Sequence, residues 1–238
     1  MSNLMRLHEA VQEVVAACSS NLSRTSPHVA TLKSILRNID ANDVGVDLAI
    51  KEMRSEECQA GYIPVVENSK FHICLFVLAP NATIPLHDHP GMTVISKNLL
   101  GSLHVTSLDL LLERSILSEQ TPFSPLPKNK KIKARRYPTE IITTESEPFI
   151  LDALFKNCHQ FVAGSDGAAI LDIIIPPYDD KFGRFCTYYH LIDDSVGIKE
   201  DTAPREVSLI VADPEPEFNC ITLSYTGISP HRQNCIAS

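Results

Sequence analysis

The first 58 residues carry apolar side chains at helical spacing. Residues three or four apart share one face of a helix, and apolar positions recur at that interval in two stretches. The two stripes are Leu4, Leu7, Val11, Val14, Val15 and Cys18, then Leu32, Ile35, Leu36 and Ile39. Ser26 fits an N-cap, with Pro27 in the first turn of the second stretch. The pattern predicts an N-terminal helical segment over residues 1–58.

From Tyr62 onward the apolar pattern becomes that of strands. Short runs of β-branched or alternating residues recur at a spacing of roughly 8–15 residues, with Pro, Gly, Asn or Asp between them. FHICLFVLA (71–79), AAILDIIIPPY (168–178) and EVSLIVA (206–212) are examples. Many short strands after a helical start are typical of a β-sandwich or barrel with helices on its outside. We therefore predict a mainly β protein.

Composition narrows the classes of function. The chain has 238 residues and a formal net charge of −8, which argues against a surface for nucleic-acid phosphates. One basic run, residues 128–136, follows a Pro-rich stretch. We interpret it as an exposed part of an inserted loop over 118–136, and the alternative interpretation is a recognition or nuclear-targeting patch.

Cysteine usage and apolar runs bear on location. The seven cysteines are scattered without a CxxC pair, which is typical of free thiols in a reducing compartment. The N-terminus does not have the pattern of a signal peptide, and no run approaches the ~20 apolar residues of a membrane span. We expect a cytoplasmic protein without a membrane or nucleic-acid partner, with the nucleus as the second location, and a monomer as the default.

The stretch IPLHDHPGM (84–92) places two histidines one residue apart. In a strand, His87 and His89 point to the same face, so both imidazoles can converge on one ion while Asp88 faces away. Histidine nitrogen suits iron, zinc, copper and nickel. By itself the pair leaves two interpretations open, half of a metal site or two solvated histidines at a strand end.

The residues after His89 carry a longer motif. Val94 follows after four residues and Gly101 after six more, which is the HxH-x4-E-x6-G spacing of the first cupin motif with Val94 in the place of the glutamate. The segment 85–105 resembles the metal-binding segment of the cupin-fold thiol dioxygenases, in particular the cysteamine (2-aminoethanethiol) dioxygenase and plant cysteine oxidase branch. That branch has three histidine ligands and lacks the glutamate.

The resemblance implies a third histidine on a later strand, and His159 fits. The segment 155–180 resembles the second segment of the family, in which a histidine precedes a strand, a Gly-containing turn and an apolar strand ending in Asp-Ile-x-x-Pro-Pro-Tyr. The implied fold is a cupin, a double-stranded β-helix or jelly-roll-like barrel, with the N-terminal helices packed outside. Its domain would span residues 59–228, followed by a C-terminal tail over 229–238.

The implied chemistry is that of a non-haem iron enzyme. His87, His89 and His159 would hold Fe(2+), and both atoms of O2 would be added to a thiol to give a sulfinic acid. The implied substrates are cysteamine, the N-terminal cysteine of proteins, or both, and the protein substrate implies a role in oxygen sensing through N-degron proteolysis. Thiolate coordination would suit an ion whose full charge is left uncompensated by three neutral imidazoles.

The resemblance also assigns four residues around the metal. Asp172 and Tyr178 match the Asp and Tyr on the substrate side, and an Asp inside an apolar strand is costly to bury without a partner. Cys186 and Tyr188, two residues apart on a predicted strand and so on one face of it, match the candidate pair for a thioether cross-link. The alternatives are a solvent-facing Asp172, a packing role for Tyr178, and a buried Cys beside an interface Tyr.

Two other histidines are not assigned to the metal. We expect His8, on the N-terminal helix, to be solvated. His104, three residues after Gly101, is expected to be a strand or turn residue, and the alternative is a neighbour of the metal ligands.

Two alternative functions stay open from the sequence. One is a cupin with the same three histidines but another metal and another chemistry. The other is a binding or regulatory cupin that is not an enzyme. All three histidines and the Asp-Pro-Pro-Tyr end are present, which favours the enzyme.

Overall fold

The structure is a computed structural model that describes residues 2–18, 22–55, 58–111, 125–192 and 202–230. Three helices come first: α1 (Asn3–Ala17), α2 (Pro27–Leu36) and α3 (Val46–Ser55). Eleven strands and one 3-10 turn (Asp180–Phe182) follow. The strands are β1 (Ala60–Glu67), β2 (His72–Leu78), β3 (Thr83–Asp88), β4 (Thr93–Leu111), β5 (Lys131–Arg136), β6 (Glu140–Thr143), β7 (Phe149–Leu151), β8 (Cys158–Ile175), β9 (Tyr188–Ile192), β10 (Arg205–Ala212) and β11 (Cys220–Thr222).

Side-chain caps fix where the first two helices begin. The Ser2 hydroxyl accepts a hydrogen bond from the Met5 backbone N–H, and Ser26 does the same for His28. Each cap satisfies a backbone donor that the first turn of a helix leaves without a partner. The predicted Ser26 cap is therefore confirmed, and the chain adds a third helix beyond the two apolar stripes.

All eleven strands join one sheet, in the order β11-β1-β2-β8-β3-β9-β10-β5-β4-β6, with β7 paired to β4. Every pairing is antiparallel except that of β1 with β11. The two long strands β4 and β8 pair with each other from Thr93 opposite Ile175 to Leu108 opposite Cys158. Because β8 also pairs with β2 and β3, it is the strand that ties the sheet into a closed shape.

Two glycines meet where the register of the β4–β8 pair shifts. Gly101 and Gly167 both have a positive φ, 63° and 80°, a conformation that favours glycine. A Cβ on Gly101 would lie 2.0 Å from the Gly167 carbonyl oxygen, which is closer than any side chain permits. The glycine at the end of the cupin motif is therefore required by the close approach of the two backbones.

The helices cover one face of the sheet. Leu4, Leu7 and Val11 of α1 share one apolar cluster with Ile73 of β2 and Leu171 of β8, and these side chains are fully buried. Three smaller clusters lie among the strands themselves. The predicted fold class, a mainly β cupin with helices packed outside, is confirmed.

Two interpretations are wrong: that of residues 131–136 as a loop and that of His8 as solvated. Residues 131–136 of the predicted loop form β5, which pairs with β10 and β4, because Ile132 and Ala134 alternate with the charges and are buried. His8, expected in solvent, is buried and its Nδ1 lies 3.0 Å from the Pro230 carbonyl oxygen. Residues 118–124 of that loop and 231–238 of the predicted tail lie outside the described residues.

Candidate active site

Strand pairing brings two of the predicted histidines together. His87 on β3 lies directly opposite His159 on β8 in the antiparallel ladder, so their side chains share one face. His89 follows the end of β3 and returns to the same face two residues later. The three ring centroids lie 4.8 to 4.9 Å apart, and the three rings are buried.

Hydrogen bonds orient two of the rings. His87 Nδ1 lies 2.8 Å from the Pro85 carbonyl, so this nitrogen carries the proton and Nε2 is left as a free base. The Tyr178 hydroxyl donates to the Asp88 carbonyl at 2.7 Å and can therefore accept from His89 Nδ1 at 2.9 Å. Both histidines thus present an unprotonated Nε2 to the centre of the group.

The rings also favour the neutral state. Burial lowers the pKa of each of the three histidines, and for His89 and His159 the neighbouring rings lower it further. Neutral imidazole is the form that binds a metal ion. The group is therefore held in its ligand state at neutral pH.

The distance between two of the nitrogens tests whether an ion fits. His89 Nε2 lies 3.1 Å from His159 Nε2. Two nitrogens bound at about 2.1 Å and at right angles around one ion would lie about 3.0 Å apart. The chain's candidate ligand atoms, one from each histidine, all lie within 4.8 Å of one another. The donor set therefore fits a metal ion that is held on one side by three imidazoles.

Asp88 lies on the other side of the strand from the histidines. Its carboxylate accepts hydrogen bonds from the Thr187 backbone N–H at 2.9 Å and from the Tyr189 hydroxyl at 2.8 Å. Burial raises the pKa of Asp88 to about 6, and these hydrogen bonds oppose the rise. The prediction that Asp88 faces away from the histidine pair agrees with these contacts.

A cavity of about 370 Å³ opens from the three histidines. Its inner end is formed by the buried histidines and Asp172, and its outer part by half-buried aromatic side chains and exposed residues. The lining side chains are Tyr62, Phe76, Ile84, His87, His89, His159, Phe161, Asp172, Ile174, Tyr178, Cys186, Tyr188, Phe218, Cys220 and Thr222. All seven predicted site residues line this one cavity.

Asp172 contributes a buried carboxyl group to the cavity. It lies opposite Cys74 of β2 and Ser96 of β4 in the sheet, and a hydrogen bond with Ser96 holds one side of the group. Its Oδ1 is buried and has no hydrogen-bond partner among the described residues. Burial raises the pKa of Asp172 to about 7. The solvent-facing alternative for this residue is therefore wrong.

Cys186 and Tyr188 differ from the prediction in their secondary structure. β9 begins at Tyr188, so Cys186 lies two residues before the strand rather than within it. Both side chains nevertheless line the cavity, and the hydroxyls of Tyr178 and Tyr188 lie within hydrogen-bonding reach of the Cys186 thiol. Cys186 is exposed, so the alternative of a buried cysteine is wrong.

Other residues of the site escaped the sequence-based prediction. Phe161 contacts His159 with ring centroids 4.4 Å apart, and its i+2 spacing from His159 on β8 was the available signal. Cys220 and Thr222 come from β11, which carries no metal-binding motif, and only the tertiary structure brings them to the cavity. His104, considered as a neighbour of the metal ligands, is exposed and does not line it.

The mainly β fold and the buried three-histidine group define a cupin with a candidate metal site. Among solved structures, the chain resembles a cupin superfamily protein from Desulfitobacterium hafniense, with 13% identity over 50% of this chain and 79% of that chain and a TM-score of 0.32. It also resembles an oxalate oxidase in complex with glycolate, with 13% identity over 54% of each chain and a TM-score of 0.34.

The chain belongs to the PCO_ADO family, whose profile matches residues 35–229. It is 32% identical to the probable 2-aminoethanethiol dioxygenase of Dictyostelium discoideum over 75% of this chain and 80% of that protein. It is 31% identical to plant cysteine oxidase 2 of Arabidopsis thaliana over 94% and 82%, and 31% identical to human 2-aminoethanethiol dioxygenase over 84% and 80%.

These matches confirm the predicted family and place the chain among the thiol dioxygenases. The non-enzymatic alternative is therefore disfavoured. Among the described residues, no helix has the length and apolar character needed to span a membrane.

Proposed function

We propose that the chain is a non-haem Fe(2+) thiol dioxygenase that adds both atoms of O2 to a thiol and releases a sulfinic acid. The observation that carries the proposal is the group of His87, His89 and His159, with two Nε2 atoms 3.1 Å apart at the inner end of a cavity. Iron bound to these histidines would supply the thiolate and oxygen chemistry. The protein would supply the geometry of the site and the exclusion of water.

The substrates that we propose are cysteamine and the N-terminal cysteine of proteins. Both place an ammonium group two carbons from the sulfur, so one site can recognise both through the same pair of groups. Asp172 is suited to accept that ammonium, because its buried Oδ1 has no partner among the described residues and its carboxyl group opens onto the cavity. An ammonium ion placed there would also stabilise the ionised form of Asp172.

We assign Tyr178 the role of holding His89. Its hydroxyl links His89 Nδ1 to the Asp88 carbonyl, which fixes both the tautomer and the orientation of the ring. The same hydroxyl lies near the Cys186 thiol, at the cavity wall. Tyr178 therefore lies between the His89 ring and the part of the cavity wall that Cys186 forms.

A Cys186–Tyr188 thioether cross-link is part of the proposal. The two residues are separated by one position and their polar atoms lie within hydrogen-bonding reach. The cross-link would form by a two-electron oxidation that joins the sulfur to a ring carbon, with O2 as the oxidant. Mass spectrometry of the tryptic digest tests it, because both residues lie in one tryptic peptide, 185–199, which loses two hydrogen atoms when the cross-link forms.

The main experiment is turnover after anaerobic iron loading. The purified chain is loaded with Fe(2+) and exposed to air with cysteamine or with a peptide that begins with cysteine. The masses of the products are then measured by mass spectrometry. We expect a gain of two oxygen atoms on the thiol. A chain that binds iron and leaves both thiols unchanged would contradict the proposal.

The alternative function, a cupin with another metal and another chemistry, is tested in parallel samples of the same protein. Loading with Zn(2+), Mn(2+) or Ni(2+) should leave the thiol unoxidised if iron is the working metal.

For the case in which a peptide with an N-terminal cysteine is the substrate, we further propose that the protein acts in oxygen sensing and is located in the cytoplasm or the nucleus. If the peptide is a substrate, its rate of oxidation in cell extract should follow the O2 concentration.

A further inference from the structure

β11 is an edge strand that lies beside the cavity. It pairs in parallel with β1 on one side, and in the described part of the chain no strand pairs with its other side. An edge strand presents backbone N–H and C=O groups to whatever lies next to it. This edge therefore offers hydrogen bonds to an extended chain.

The backbone hydrogen bonds show which residues face that open side. The Ala60 N–H donates to the Asn219 carbonyl at 3.2 Å, and the Leu223 N–H donates to the Tyr62 carbonyl at 2.8 Å. Along a strand, the N–H and C=O groups of alternate residues point to opposite sides. Residues 219, 221 and 223 thus face β1, and the backbone groups of Cys220 and Thr222 point to the open side.

The same two residues line the cavity with their side chains. Cys220 is half buried, whereas Thr222 is exposed, so the strand leads from the cavity wall to its mouth. The histidines and Asp172 lie at the buried inner end. A peptide whose first residue reaches the histidines must leave through the outer part of the cavity, which is where β11 lies.

We propose that a peptide substrate binds as an added strand along β11, with its N-terminal cysteine at the three histidines. The inference rests on the proposed function and specifies how the peptide, as opposed to cysteamine, is recognised. The open N–H and C=O groups of Cys220 and Thr222 would bond to alternate residues of the peptide. Recognition through the peptide backbone would accept many side chains at those positions.

An N-methyl scan of the peptide tests the inference on the unaltered enzyme. N-methylation removes one amide donor and adds bulk, so it is applied in turn to residues 2 to 7 of a peptide that begins with cysteine. We expect kcat/KM to fall about tenfold at two positions separated by one residue, since alternate amides face an added strand. A uniform effect, or none, would overturn the proposal.

A pair of enzyme variants tests the same contact from the other side. Thr222→Pro removes the N–H that points to the open side, and proline is tolerated on the solvent side of an edge strand. Thr222→Ala is the control, because it shortens the side chain and keeps the N–H. We expect kcat/KM for the peptide to be three- to tenfold lower in Thr222→Pro than in Thr222→Ala.

Cysteamine distinguishes a failure of the proposed function from a failure of the proposed peptide binding along β11. It has no peptide amide, so Thr222→Pro, relative to Thr222→Ala, should lower kcat/KM for the peptide by more than it lowers kcat/KM for cysteamine. If the unaltered enzyme oxidises neither thiol, the proposed function fails. If it oxidises both and the N-methyl scan is flat, the proposed function holds and the strand along β11 is wrong.

Discussion

Two buried aspartates, Asp88 and Asp172, lie on opposite sides of the candidate site and have different surroundings. Asp88 is 5% exposed and both carboxylate oxygens accept hydrogen bonds from the chain, one from Thr187 and one from Tyr189. Asp172 is 4% exposed, and its Oδ1 has no partner among the described residues. Burial raises the pKa of Asp88 to about 6 and that of Asp172 to about 7.

The comparison separates two uses of a buried polar group. A group whose hydrogen bonds are completed within the chain stabilises the fold and fixes local geometry. A group left without a partner costs stability, and it is retained where something from outside completes it. Asp88 fixes the end of β3 between His87 and His89, whereas Asp172 and the three imidazoles are open to the cavity.

His159→Ala should have the largest effect, because it removes one of the three candidate metal ligands that face the cavity. We expect iron content to fall below about a tenth of an ion per chain and turnover to fall by more than about a hundredfold. Metal analysis and a thiol oxidation assay measure the two effects. His104→Ala, which changes an exposed histidine on β4, is the matched control. Normal iron binding in His159→Ala would remove this residue from the site.

Asp172→Asn should change how stability depends on pH. Burial raises the folded-state pKa to about 7, so below about pH 4 the carboxyl group is neutral in both states and its favourable contribution is fully present. As the pH rises from 4 to 8 that contribution is lost, because the unfolded chain ionises first. The free energy of unfolding of the natural chain, relative to the variant, should fall by roughly 4 kcal/mol.

Urea unfolding at pH 4 and pH 8 measures this difference. Cysteamine turnover provides the functional readout: kcat/KM of the natural chain should rise more steeply toward pH 7 than that of Asp172→Asn. A variant that is equally active and shows no relative gain in stability at high pH would place Asp172 with Asp88, as a group of the scaffold.

Asp88→Ala tests the structural role of the aspartate whose hydrogen bonds are completed within the chain. It leaves the Thr187 N–H and the Tyr189 hydroxyl without their acceptor, so the free energy of unfolding should fall by about 2 kcal/mol. Asp88→Asn keeps one oxygen and should cost less. Denaturant unfolding at pH 7 gives both values, and unchanged stability in Asp88→Ala would contradict a structural role.

Tyr178→Phe changes a residue that is bonded both to the Asp88 carbonyl and to the cavity-facing His89, and it should have the smallest effect. It removes the hydroxyl that joins His89 Nδ1 to the Asp88 carbonyl and keeps the ring. We expect iron affinity to fall about tenfold, as measured by competition with a chelator. Tyr225→Phe, which removes a hydroxyl bonded to the Ile228 carbonyl far along the chain, is the control.

The sequence was sufficient for the parts of the site that depend on local spacing. His87 and His89 share a face because they are two residues apart, and His159 was found because its surrounding segment resembles a known family. The partners of Asp88 could not be predicted in this way, since Thr187 and Tyr189 lie about a hundred residues away. Only the pairing of β3 with β9 brings them to the carboxylate.

The errors have a similar origin. We expected His8 in solvent because it lies on an amphipathic helix, yet Pro230, more than two hundred residues later, contacts it. β5 was missed because Lys131, Lys133, Arg135 and Arg136 dominate its composition. The alternating Ile132 and Ala134, which β10 and β4 bury, were the weaker signal.

The helices that cover the sheet have a practical consequence for truncation. Thr93 donates to the Leu22 carbonyl, and Lys97 donates to the carbonyls of Arg37 and Ile39, so β4 is bonded to the chain on both sides of α2. A shortened protein that begins at residue 59 would keep all three histidines but expose the apolar face of β2 and β8 to water. It should therefore precipitate on expression rather than yield a minimal enzyme.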